Sequence, residues 1–181
     1  SVVADLKHLD ASVALELNVG VIPVTRDSEL WELRANPGTT RAPAASPSSI
    51  ATALGLDPSD LAGAPLWANT GTEQLIVPLA SEDAVRRAKT AYDRLKEVTA
   101  DGALPMVYVF AESGEHALLS RFFFNNADVI LEDPATGSAT ANLGNWYLAN
   151  QAALPRSVNI FQGEMTGRPS TLRLRIDKER N

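Results

Sequence analysis

The chain has 181 residues, of which 45% are hydrophobic and 21% are charged, and these values are ordinary for one globular domain. Its formal net charge of −6 argues against nucleic acid or an anionic membrane as the main partner, because both carry negative charge. The absence of cysteine excludes disulfides, thiolate-ligated metals and paired-thiol acid/base chemistry. No apolar run approaches the roughly 18 residues that suggest a membrane span.

The first half of the chain predicts a helix end followed by strands and turns. Residues 1–8 are typical of the last turns of a helix, and Gly20 allows a bend between the first two strands. Ser48 or Ser49 is predicted to cap a short helix that ends at Gly55. Alternating apolar residues predict strands at residues 13–18, 21–26, 30–35, 66–69 and 75–79.

The second half predicts two helices among further strands. Ser81 is expected to cap one helix that continues to about Val98, with its basic residues on a solvated face. Asn125 and Asn126 are expected to form a turn, and a second helix, apolar on most sides, is predicted over residues 138–151. The remaining strands are predicted at residues 106–110, 117–124, 158–161 and 171–176.

Residues 132–144 combine a strand end, an acidic turn and a helix start. Pro134 favours an extended Asp133, and Thr136, Gly137 and Ser138 are typical of the beginning of a helix. The first-turn N–H groups and the positive end of the helix dipole suit a carboxylate or phosphate, with Glu132 and Asp133 beside them. From spacing alone, an ordinary capped helix after a strand explains the same pattern.

The octapeptide Glu-Asp-Pro-Ala-Thr-Gly-Ser-Ala at residues 132–139, preceded by Arg121-Phe122-Phe123, resembles the signature of the PhzF-like family of phenazine-biosynthesis proteins. Four further blocks resemble that family in matching order: residues 19–24, 50–56, 70–79 and 162–170. The resemblance implies an α+β fold of the diaminopimelate epimerase type, in which a curved mixed sheet is rolled around a central apolar helix.

The family's complete members open with a strand-rich lobe that carries a Gly-Asn-Pro motif, a catalytic Glu and a Gly-His pair, and none of these occurs here. Residues 1–181 are therefore expected to form one C-terminal lobe, with residues 1–12 as a remnant of the preceding lobe's helix. The complete protein is expected to be an isomerase that needs no cofactor or metal and moves a proton within a small carboxylated metabolite. This chain alone is expected to be inactive, as a fragment or as one half of a split protein.

The resemblance also implies site residues. Asp133 would be the catalytic carboxylate, although an Asp that caps its own turn is the alternative. Gly137, Ser138 and Ala139 would bind a substrate carboxylate, and Thr70 and Gly71 would approach the same cleft. Arg168 is interpreted as mainly structural, and His8 and His116 lack the spacing of metal ligands.

Two functions remain open. The chain is either part of an isomerase or a domain that binds carboxylates or other proteins without catalysis. A homodimer or a complementary N-terminal chain is expected, because loss of a lobe would bare apolar surface. No nucleic-acid or membrane partner is expected, and the expected location is the cytoplasm.

Overall fold

The computed structural model describes residues 12–17, 20–27 and 30–178. Their contacts divide the chain into two compact units, Ser1–Pro37 and Gly38–Asn181. The predicted helix remnant lies outside the described residues, except for Ser12, which begins the first strand.

The first unit contains an antiparallel sheet in the order β1-β2-β3. The strands are β1 (Ser12–Leu17), β2 (Gly20–Asp27) and β3 (Leu30–Leu33), so the three predicted strands are confirmed. Gly20 has a φ of 109°, a value that favours glycine, at the predicted bend. Ile22 and Val24 are buried on one face of β2, as period-two alternation requires.

The second unit is built on an eight-stranded mixed sheet. Its strands are β4 (Thr39–Arg41), β5 (Leu66–Asn69), β6 (Glu73–Pro78), β7 (Met106–Glu112), β8 (Ala117–Asn126), β9 (Val129–Asp133), β10 (Arg156–Gln162) and β11 (Ser170–Ile176). They run in the order β11-β10-β8-β7-β6-β5-β4, and β9 pairs with the second half of β8. The β6–β7 and β8–β10 pairs are parallel, and the other pairs are antiparallel.

Helices cover both faces of this sheet, since the strand residues are apolar on both sides. The helices are α1 (Pro47–Ala53), α2 (Glu82–Arg87), α3 (Tyr92–Val98) and α4 (Gly137–Ala149). Leu75 and Val77 pack with α1, α2 and α3, whereas the intervening Ile76 packs with α4. The curved sheet forms a half-barrel around α4, which confirms the predicted α+β fold class. None of the helices in the described residues is long and apolar enough to span a membrane.

The helix predicted from Ser81 to Val98 is in fact two helices, α2 and α3. Ser81 caps α2 as predicted, but α2 ends at Arg87 and the backbone of Ala88 is extended. The buried guanidinium of Arg121 donates to the carbonyl oxygens of Val85, Arg86 and Ala88, which a continuous helix would use for its own hydrogen bonds. Contacts with a side chain that is distant in sequence therefore end the helix where the local pattern predicts that it continues.

Two smaller predictions are also wrong. Ser46, not Ser48 or Ser49, caps α1, because its hydroxyl accepts from the N–H of Ser49 while Pro47 takes the first helical position. Asn125 and Asn126 are the last residues of β8, where they pair with Ile130 and Val129. The turn follows them at residues 127–128.

Candidate functional site

Asp133 is the last residue of β9, four residues before Gly137, the first residue of α4. The pairing of β9 with β8 places Asp133 opposite Phe122 and Glu132 opposite Phe123. Phe122 packs in the cluster around α4, and Phe123 packs in the cluster on the other face of the sheet. Since directly paired residues share a face, Asp133 lies on the α4 face, at the start of that helix.

Asp133 is held by two buried polar side chains, one on its carboxylate and one on its backbone carbonyl. The hydroxyl of Thr136 donates to Asp133 Oδ2 at 2.7 Å. Gln162 Nε2 donates to the Asp133 carbonyl oxygen at 2.7 Å and to Thr136 Oγ1 at 3.0 Å. Because Thr136 Oγ1 already accepts from Gln162, its own proton is committed to Asp133. One carboxylate oxygen is therefore fixed, and no hydrogen bond within the described residues engages Oδ1.

The N-terminus of α4 is exposed at Gly137 and Ser138 but not at Ala139, which is 0% exposed. Thr136 occupies the cap position, but its hydroxyl does not cap the helix, because it is committed to Asp133. No protein acceptor in the described part of the chain lies on the N–H groups of Gly137, Ser138 and Ala139. A Cβ built on Gly137 would meet nothing within 4 Å. Gly137 and Ser138 thus present exposed backbone donors at the positive end of the helix dipole.

Thr70 lies beside the same helix, and Gly71 follows it in the turn between β5 and β6. The N–H and the hydroxyl of Thr70 both donate to Asn142 Oδ1 at 2.9 Å, one turn after Ser138 in α4. The N–H of Gly71 donates to Asn69 Oδ1 at 2.8 Å. All three donors are therefore used within the protein, so this turn shapes the site through α4.

Sequence reasoning missed two buried carboxamides beneath the helix start. Gln74 Nε2 donates to Ser138 Oγ at 3.0 Å, and Asn142 Nδ2 donates to Gln74 Oε1 at 2.8 Å. Gln74 is 1% exposed and Asn142 is fully buried. Both could have been recognised in the sequence as polar residues among apolar ones, since Gln74 lies in an apolar strand and Asn142 in an apolar helix.

The expectation that Glu132 stands beside the anion site is wrong. Its carboxylate points to the opposite face and forms a bidentate pair with Arg121, at 3.0 and 2.7 Å. The alternation of side chains along β9 causes this separation of Glu132 from Asp133. Glu132 therefore stabilises the strand that carries Asp133 and does not face the ligand side.

Residues 162–170 pack against the turn that carries Asp133. Gly163 has a φ of 84°, and a Cβ there would collide with backbone atoms of Pro134 and Arg168. Only glycine permits this approach, so Gly163 and Gln162 together hold the turn that bears Asp133. The guanidinium of Arg168 pairs with no carboxylate of the described residues, and its backbone completes the Gly163 turn.

The other titratable groups of the described residues do not form an alternative site. Burial raises the pKa of Tyr108 and of Tyr147, so both phenols stay protonated near neutral pH and are unsuited as bases. Within residues 12–17, 20–27 and 30–178, no group of His, Asp or Glu could hold a metal ion. His116 is exposed, and His8 lies outside the described residues.

A surface hollow of about 310 Å³ lies near Phe161, and Asp133 is not among its lining residues. Phe161 is exposed on the side of β10 opposite to Ile160, which packs against α4. Arg86 lines the hollow but is paired with Glu82 and Glu164, at 2.9 and 3.2 Å. The described lining residues of the hollow therefore offer no unpaired cation to an anionic ligand.

Comparison with known proteins finds relatives of this chain. A curated relative from Pasteurella multocida (strain Pm70), described as an uncharacterized isomerase, is 34% identical over 125 residues, which are 69% of this chain and 41% of that protein. The chain thus spans less than half of this curated relative.

Two solved structures share the fold. A phenazine biosynthesis protein of the PhzF family from Bacillus anthracis has a TM-score of 0.82 at 19% identity, over 98% of this chain and 64% of that one. A predicted epimerase from Pseudomonas aeruginosa has a TM-score of 0.76 at 22% identity, with the same coverages. The family described as phenazine biosynthesis-like protein matches residues 2–181. Because this match spans nearly the whole chain, the chain belongs to the phenazine biosynthesis-like (PhzF-like) family.

Proposed function

We propose that this chain forms the carboxylate-holding half of an isomerase that moves a proton within a small carboxylated metabolite without a cofactor. In this proposal the N–H groups of Gly137, Ser138 and Ala139 bind the substrate carboxylate. Asp133 is the catalytic carboxylate that engages a neighbouring polar group and assists the proton's movement. The description of a relative as an isomerase supports the reaction class.

The proposal rests on one observation: the Asp133 side chain is held in place next to the exposed first turn of α4. Thr136 and Gln162 restrain one carboxylate oxygen of Asp133 and leave the other without a hydrogen bond from the described residues. Backbone donors four to six residues later supply positive potential for an anion. A carboxylate held this way can accept a proton or hydrogen bond from a ligand anchored by its own carboxylate.

The proposal places the principal base outside this chain. The relatives are longer, since the chain covers 41% of the curated isomerase and 64% of each solved structure described above. A general base typically contributes on the order of 10²–10⁴ in rate. Without a second element to supply it and to close the cleft, the chain is proposed to be inactive.

A second candidate function, a binding or interaction domain, is favoured by one observation. Val129 is 59% exposed and Leu131 is 41% exposed, and alternation along β9 places both on the same face as Asp133. Exposed apolar side chains beside a polar site are typical of a surface that a partner covers. A homodimer or a complementary N-terminal chain is therefore part of the proposal, as is a cytoplasmic location.

The test is deuterium uptake at carbon from heavy water. The longer protein that contains this chain would be incubated with a panel of small amino, hydroxy and cyclic carboxylic acids, and uptake would be measured by mass spectrometry. Asp133→Asn should lower uptake by roughly 10²–10⁴. Asp128→Asn makes the same change at an exposed turn on the same hairpin and should leave uptake unchanged. Equal uptake by both variants would reduce Asp133 to a turn cap.

A further inference from the structure

The orientation of the Asn142 side chain is determined by backbone groups. Its Oδ1 accepts from the N–H of Thr70 at 2.9 Å, and its Nδ2 donates to the carbonyl oxygen of Thr72 at 2.8 Å. A backbone N–H can only donate and a carbonyl can only accept, so the amide cannot be flipped without losing both bonds.

This fixed orientation determines the next amide and then a hydroxyl. Asn142 Nδ2 also donates to Gln74, which must therefore present its Oε1 to Asn142 and its Nε2 to Ser138. Ser138 Oγ consequently accepts a hydrogen bond at 3.0 Å from the buried side. Its own proton is left to point away from Gln74, towards the open start of α4.

We propose that Gln74 and Asn142 are positioning residues that make Ser138 a committed hydrogen-bond donor, so that the site selects ligands presenting an acceptor oxygen. We call the chain Asn142–Gln74–Ser138 the amide relay. The inference rests on the proposed function, because it assumes that a carboxylate binds at this helix start. Without the relay, the Ser138 hydroxyl could rotate and serve as either donor or acceptor.

The relay also joins the Thr70–Gly71 turn to the binding groups. Thr70 contacts Asn142, and the Asn142 side chain is connected to the Ser138 hydroxyl through Gln74. Every link lies on the α4 face of the sheet, since Gln74 pairs with Ala68 of the cluster around α4. This gives Thr70 a role in the site without direct contact with a ligand.

The test is a double-mutant cycle on the 181-residue chain, with acetate as the probe. Binding would be followed by the NMR signals of the Gly137, Ser138 and Ala139 amides. Ser138→Ala should weaken acetate binding roughly tenfold, because it removes one hydrogen bond to a charged acceptor. Gln74→Met should weaken binding by a similar factor. The double variant should be no weaker than Ser138→Ala alone, since Gln74 acts through Ser138.

The outcomes separate the inference from the proposed function. If acetate binds but the two substitutions add, or if Gln74→Met has no effect, the relay is overturned and the anion site stands. If acetate does not shift the three amides of the unmodified chain, the anion site and the selection by Ser138 are both overturned.

A second measurement does not depend on whether Gln74→Met folds. A neutron structure of the deuterium-exchanged chain should show a Gln74 deuterium directed at Ser138 Oγ and the Ser138 deuterium directed away from Gln74. A Ser138 deuterium that points at Gln74 would overturn the inference.

Discussion

Arg121 is predicted to be the most costly single polar side chain to remove from this fold. Its side chain is 11% exposed and that of Glu132 is 14% exposed, and the two are joined by a bidentate ion pair. Arg121→Met would leave the Glu132 charge largely buried without a partner, which costs about 3–5 kcal/mol. Loss of the guanidinium hydrogen bonds to the last carbonyl oxygens of α2 adds about 1 kcal/mol. The expected total of about 4–6 kcal/mol is a large part of the 5–15 kcal/mol typical of a domain.

Arg87→Met is the matched control for this prediction. Arg87 is the last residue of α2 and also bridges two carboxylates, those of Asp60 and Asp83, but its side chain is 48% exposed. Exposed ion pairs contribute little, so this variant should lose little stability. Urea unfolding followed by circular dichroism would compare the two variants with the unmodified chain.

A second substitution tests whether the unpaired charge of Glu132 causes the loss of stability. Adding Glu132→Leu to Arg121→Met removes the stranded charge, and the double variant should recover part of the lost stability. The reasoning is refuted if Arg121→Met and Arg87→Met lose equal stability, or if Arg121→Met alone costs less than about 1 kcal/mol.

Three further predictions follow from single contacts. A hydrogen bond from arginine lowers the pKa of Asp60 from its ordinary value of 3.8, so its stabilising contribution is present above 3.8 and is lost as pH falls through the lower folded pKa. Because exposed ion pairs contribute little, the urea midpoint should fall only slightly as the pH drops below 4, and a midpoint that rises on acidification would contradict this. Thr136→Val leaves buried partners unsatisfied and should lower the free energy of unfolding by about 1–3 kcal/mol, measured with urea. Thr136→Ser keeps the hydroxyl and should lower it less. Equal losses would show that the hydroxyl does not hold Asp133. Light scattering at tens of micromolar should show that the chain associates, and Leu131→Glu should weaken this association. A monomer mass for the unmodified chain would count against a partner surface on β9.

The fold could be predicted from sequence where the pattern is local. The unbroken apolar run Leu75–Ile76–Val77 indicated a strand buried on both faces, and the structure places helices on both sides of it. The break after α2 could not be predicted in this way. It depends on Arg121, which is 33 residues from the Ala88 carbonyl that it contacts.

The candidate site shows the same division between local and distant information. The helix start at Gly137 and the extended Asp133 followed from turn chemistry around Pro134. The opposite directions of Glu132 and Asp133 became clear only once the pairing with β8 was known. Gln162 reaches Thr136 from another strand, and periodicity carries no information about such contacts.

The central claim is that this chain holds the carboxylate end of a proton-transfer site whose base lies elsewhere. Deuterium uptake from heavy water at a substrate carbon tests it most directly, measured on the 181-residue chain and on the longer protein with a substrate that the longer protein labels. The account predicts rapid uptake with the longer protein and a rate lower by at least roughly 10² with the chain alone. Uptake at the full rate by the 181-residue chain would contradict it.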